Sequence, residues 1–206
     1  MNKVDDKVMK HVKMRAREWD IPLPDNAEAR IACIEERFRK KGILIKFSTF
    51  PSLNNGSLGA NAGFTHIIFS LEWAAYLVLK NDKTVWNAFL CSIGHELTHR
   101  DGNDINPFLH PINIRFIAWA NEVHADFESE NKMLGQSRSR LIAAMKFKYS
   151  QKEQDQDSCS HPSWKRRIHY AENFETFDEK LIRQIAKDAR CKNKKLIQEV
   201  IDHYTK

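Results

Sequence analysis

Apolar positions recur at near-helical intervals along much of this chain. Val4, Val8, Val12 and Trp19 stand between charged residues and predict an amphipathic helix over 4–19, ending before Ile21-Pro22. Pro24-Asp25 opens a second, with Ala27, Ile31, Ile34 and Phe38 on one face and Gly42 as its stop. The pattern then changes. Residues 42–47 and 64–69 are β-rich and predict two strands, and the stretch 51–63, which contains Asn54-Asn55-Gly56, predicts a turn-rich loop between them.

Helical spacing returns at Ser70, a predicted N-cap followed by Glu72 and the apolar Trp73, Tyr76 and Leu77. From about Thr84, the residues Val85, Phe89, Ile93 and Leu97 line one face of a further helix that Arg100-Asp101-Gly102 closes. A loop with Pro107 and Pro111 leads to a long helical pattern over 112–134, then another over 138–149. Residues 150–158 are polar throughout and predict a mobile surface loop. Short helical patterns near 163–173, 177–189 and 194–205 complete a mostly helical α+β domain with one small sheet.

Composition narrows the class. At 206 residues the chain suits one domain rather than two, and 42% hydrophobic residues is ordinary for a soluble globular protein, with charged residues slightly rich at 29%. The net charge of +6 is spread over short clusters (Arg39-Lys40-Lys41, Lys165-Arg166-Arg167, Lys192-Asn193-Lys194-Lys195) with acidic neighbours, so no nucleic-acid partner is expected. No apolar run approaches the roughly 20 residues a membrane-spanning helix needs. The charged start, Met1-Asn2-Lys3-Val4-Asp5-Asp6, has no apolar core behind it, and the expectation is a cytoplasmic protein. Cys33, Cys91, Cys159 and Cys191 are scattered, which fits reduced thiols; Cys91, a turn before His95, reads as a small core residue.

The chemistry is concentrated in His95-Glu96-Leu97-Thr98-His99, an uninterrupted H-E-x-x-H on the helix that starts near Thr84. Residues four apart share a helix face, so His95 and His99 can hold one zinc ion while Glu96 stands beside it as a base. A catalytic zinc needs a third protein ligand and one open position. Asn121-Glu122-Val123-His124-Ala125-Asp126, on the next long helix, offers Glu122 or His124. These two point about 200° apart on a helix, so both cannot face one metal.

H-E-x-x-H followed by E-x-x-x-D on a second helix resembles the gluzincin metallopeptidases. That resemblance implies the zinc ligands His95, His99 and Glu122, with Asp126 orienting a ligand histidine. His161-Pro162-Ser163-Trp164-Lys165-Arg166-Arg167 resembles the H-P-x-x-x-x-R element of the HtpX-like and CAAX-prenyl-protease family, in the same chain order. The likeness covers about residues 60–172 as a zincin-like core, whereas 1–58 and 174–206 resemble no named element, and the chain lacks the membrane segments of the best-known members. The family match implies His161 or Arg167 as oxyanion donor, with Tyr170 a further candidate; Arg167 can equally pair with Glu122 or Asp126.

The expectation is therefore a zinc metalloendopeptidase with one Zn²⁺ per chain and a protein or peptide substrate. Zinc would bring the pKa of its water to about 7, and Glu96 would take the proton and pass it to the leaving amine. Substrate is expected to lie extended along residues 64–70 as an edge strand, touching Phe64, Thr65, His66 and Ile67. The alternative is a non-catalytic zinc-binding regulatory or interaction protein.

Overall fold

The structure, a computed structural model, describes residues 4–49, 57–151 and 156–205. Helices form close to where the apolar spacing places them. α1 is Asp6–Glu18 and α2 is Ala27–Arg39, each burying the predicted face. α3, Leu71–Ala75, passes into a π turn, Tyr76–Lys80, closed where the Asn81 N–H donates to the Tyr76 carbonyl. α4 is Lys83–Arg100, started by Asp82, whose Oδ1 accepts from the Val85 N–H at 2.8 Å. Two 3₁₀ turns lead to α5, Ile114–Met133. α6 (Arg138–Ser150), α7 (Trp164–Asn173), α8 (Glu179–Asp188) and α9 (Lys194–Tyr204) follow. None of the described helices is long and apolar enough to cross a membrane.

The strands depart from expectation. β1 is Ile45–Phe47, β2 is Ala60–Ala62 and β3 is Ile67–Phe69, in the order β1-β3-β2. β1 runs parallel and β2 antiparallel to β3. β2 falls within the stretch expected to be loop; residues 51–56 lie outside the described ones. The Gly63 N–H donates to the His66 carbonyl at 2.9 Å, which folds the chain back so that Ala60 faces Phe69. As a result β3 is paired on both sides, and the expectation of a free edge along 64–70 is corrected. Phe64, Thr65 and His66 belong to the turn between β2 and β3, where Phe64 is fully exposed.

Two other local expectations change. Ser70 does precede α3, but its hydroxyl donates to the Ser57 carbonyl at 2.7 Å and does not cap the helix. Asp157, expected within a mobile loop, accepts from the Ser163 N–H at 2.9 Å and from Arg166, which ties it to α7; residues 152–155 lie outside the described ones.

Packing explains where the site forms. One apolar cluster joins the sheet to α1–α4, α6 and α7, with Phe89 of α4 stacked among Phe38, Phe47, Phe69 and Trp73. A second joins α5, α8 and α9 with Tyr170. Between them α4 crosses α5 at Gly94, where a Cβ would lie 2.7 Å from Ser129 Cα. Only a residue without a side chain permits that approach. The crossing sets the residue after Gly94, His95, against the polar positions of α5.

Candidate metal centre

His95 and His99 lie one turn apart on α4, and Glu122 faces them from α5. Their Nε2 atoms are 3.0 Å apart; the His95 Nε2 is 3.4 Å from Glu122 Oε2 and the His99 Nε2 is 3.5 Å from Glu122 Oε1. Tetrahedral zinc with bonds of about 2.0–2.2 Å sets its ligand atoms roughly 3.3–3.6 Å apart. The two histidine–carboxylate distances, 3.4 and 3.5 Å, have that size, and the two Nε2 atoms, at 3.0 Å, lie slightly closer. Among the described residues this is the group of His, Cys, Asp and Glu side chains able to hold a metal ion.

The far side of each imidazole fixes its tautomer. His95 Nδ1 lies 3.0 Å from Asp126 Oδ1, and His99 Nδ1 lies 2.6 Å from Asp104 Oδ2. An ionised carboxylate only accepts, so each Nδ1 carries the proton and each Nε2 turns a lone pair inward. Two lone pairs 3.0 Å apart beside a carboxylate repel one another unless a cation lies between them. Glu122 Oε2 is moreover buried without a hydrogen-bond partner. The donor set thus fits a metal ion.

The electrostatics agree. Burial by itself would push the two imidazoles down. The neighbouring carboxylates of Asp126 and Glu122 nevertheless raise His95, and those of Asp104 and Glu122 raise His99 to about 10. Burial opposes the Glu122 charge too, yet the adjacent His95 and His99 rings hold its carboxyl well below the usual range. This pocket gathers positive charge, as a proton or as a metal.

Arg167 of α7 lies behind the ligands. It is 6% exposed, donates through Nε to Asp126 Oδ2 at 2.7 Å and through Nη2 to Oδ1, and has Nη1 3.6 Å from Glu122 Oε2. This is the ion pair with the carboxylates. The guanidinium also lies 4.0 Å from the Trp164 ring centroid. Its charge keeps Asp126 ionised despite burial. His161 is the more exposed of the two oxyanion candidates, with Nε2 3.3 Å from Glu122 Oε1 and Nδ1 2.8 Å from Ser160 Oγ. Tyr170 is fully buried and donates to Asp188 at 2.8 Å, which commits its hydroxyl away from the centre.

Glu96 is partly exposed and makes no hydrogen bond or ion pair among the described residues. His124, the other possible third ligand, packs against Tyr204 at 4.4 Å and Phe177 at 5.1 Å, and burial lowers its pKa. Cys91 is buried 3.4 Å from Ser129 Oγ, and burial pushes its thiol up to about 11, so it is inert packing. Asp104 is the residue that sequence reasoning missed. It follows His99 by five positions in a loop, a spacing with no helical meaning, and only Gly102 at φ +74° marks the turn that brings it back.

No family model, curated protein or solved structure matches this chain.

Proposed function

We propose that this chain is a zinc-dependent endopeptidase of gluzincin type, with a zincin-like arrangement of α4 and α5. One observation carries the reading. Two imidazole Nε2 atoms and a largely buried carboxylate converge within 3.0–3.5 Å of one another, and Glu96, without a partner among the described residues, stands on the next position of the same helix. A purely structural zinc site has no need of that free carboxylate.

Zinc, when bound, supplies Lewis acidity that brings water near a pKa of about 7 and polarises a carbonyl. The protein's residues do the rest. His95, His99 and Glu122 hold the ion. Asp126 and Asp104 orient the two rings, and Arg167 keeps Asp126 charged and in place. Glu96 accepts the proton of the attacking water and returns it to the leaving amine. His161 donates from Nε2 to the oxyanion.

The sheet order supports β2 as the substrate strand. The Gly59 carbonyl accepts from Ser70 and the Gly63 N–H donates to His66, the residues flanking β3, so by the alternation of an antiparallel ladder the N–H and C=O of Ala60 and Ala62 face away from β3. β2 lies against α4, the histidine helix. An extended peptide pairs with that outer edge of β2.

Cleavage of an unstructured test protein, with zinc content measured in parallel, tests the proposal. Wild type should cleave, and Glu96→Gln should retain zinc and lose at least ~100-fold in rate. Equal rates in the two proteins refute the mechanism. Stoichiometric zinc without cleavage makes the chain a zinc-binding scaffold, and no zinc removes the reading.

A further inference from the structure

The loop that carries Asp104 has no regular structure of its own. Among the described residues, the backbone of residues 103–105 makes no backbone–backbone hydrogen bond. Side chains from two distant helices hold it. The His203 Nε2–H donates to the Asn103 carbonyl at 2.7 Å, and Asn121 Nδ2 of α5 donates to the Ile105 carbonyl at 2.9 Å. Tyr204 in turn donates to Asn121 Oδ1 at 2.6 Å, which fixes the amide that holds Ile105. Two neighbouring residues of α9 therefore grip the chain on both sides of Asp104, across a hundred positions of sequence.

The Tyr204 ring is seated by His124 at 4.4 Å and Phe177 at 5.3 Å. α9 is fastened beneath it by Leu196, Val200 and Ile201, all buried in the second apolar cluster. A rigid helix thus ends against a loop whose aspartate orients a metal ligand.

We infer that His203 and Tyr204 are positioning residues for the metal centre, acting through Asp104 to aim the His99 lone pair. This rests on reading His95, His99 and Glu122 as a metal site. Neither residue touches the metal or the substrate. Their effect is to hold the Asp104 carboxylate 2.6 Å from His99 Nδ1, against the freedom a loop otherwise has. Outer partners of this kind are worth about 10–100-fold in metal affinity. The last helix, which resembles no named element, thereby has a place in the chemistry.

The test uses the full chain with Tyr204→Phe, His203→Ala, the pair combined, and Asp104→Asn. Tyr204→Phe keeps the ring packing and removes only the hydroxyl. Zinc affinity is measured by competition with a chromophoric chelator, the ligand field by the visible spectrum of the cobalt-substituted protein, and stability by melting of the metal-free protein. Zinc affinity is expected to fall about 10-fold in Tyr204→Phe and up to about 100-fold in the pair, with a changed cobalt spectrum. Metal-free melting should move by no more than a few degrees. In the Asp104→Asn background, Tyr204→Phe should add nothing, because both act on one contact.

Unchanged affinity and cobalt spectrum with lowered melting would overturn the inference, leaving a helix that only supports the fold. Additive losses with Asp104→Asn would overturn the route through Asp104. If the wild type itself binds no zinc, the metal reading falls and the latch with it, an outcome distinct from variants that match a zinc-binding wild type.

Discussion

Gly94→Ala probes the crossing on which the whole site depends. The added methyl would lie 2.7 Å from Ser129 Cα, 3.0 Å from Ser129 Cβ and 3.1 Å from Met133 Cγ. Met133 can swing aside, but Ser129 Cα is helix backbone and cannot. Ordinary carbon contacts begin near 3.5 Å, so α4 and α5 must part by roughly 0.8 Å at this point. Overpacking against fixed backbone costs about 1–3 kcal/mol, near the upper end here. The better helix propensity of alanine offsets about 1 kcal/mol of that. Strain wins, leaving a net loss of about 1–2 kcal/mol. The next residue is His95, whose 3.0 Å contact with Asp126 spans the same gap. Parting the helices stretches that contact beyond about 3.5 Å, where it ceases to be a hydrogen bond. Zinc affinity should then fall about 10–100-fold. Urea denaturation of the metal-free protein and chelator competition read the two effects. Stability at or above wild type together with unchanged zinc affinity would refute the close crossing and the role given to it.

Asp126→Asn removes the carboxylate partner of a buried arginine and should cost about 3–5 kcal/mol by urea denaturation, toward the lower end because Glu122 lies 3.6 Å from Arg167. A loss below about 1 kcal/mol would show that Asp126 is not what balances Arg167. Far from the centre, Glu72 is 4% exposed and accepts from His11 at 2.7 Å and Arg15 at 2.9 Å. Burial would raise its carboxyl, but these partners hold it below the ordinary 4.5. A depressed folded-state pKa contributes stability that is complete above the unfolded value and lost as pH falls through the folded one. Wild-type stability should therefore fall more steeply than that of Glu72→Gln below pH 4.5, and parallel pH–stability curves would contradict the assignment.

The helices were legible because their signal is local. Val85, Phe89 and Ile93 repeat at the spacing of one helix face, and all three are fully buried. The metal trio was legible for the same reason: His95 and His99 share a face by spacing, and Glu122 with Asp126 share one on α5. The strands were harder to read. Each is three residues long, and Ala60-Asn61-Ala62 has no β-branched or aromatic residue to mark it. Missing β2 made the central strand look like a free edge. Asp104 gave no signal, since an aspartate in a turn after a helix is ordinary surface chemistry.

The sequence by itself determined which residues can face one another within a single helix, and so it proposed two histidines, a base and a third ligand. Only the tertiary structure decided that Gly94 lets α5 close on them, that Arg167 is sealed beneath Asp126, and that α9 holds the loop of Asp104. Helical contacts repeat every three or four residues and leave a trace in the spacing. The contacts that complete the site join residues 31, 41 and 100 positions apart, and those depend on how separate apolar faces pack together.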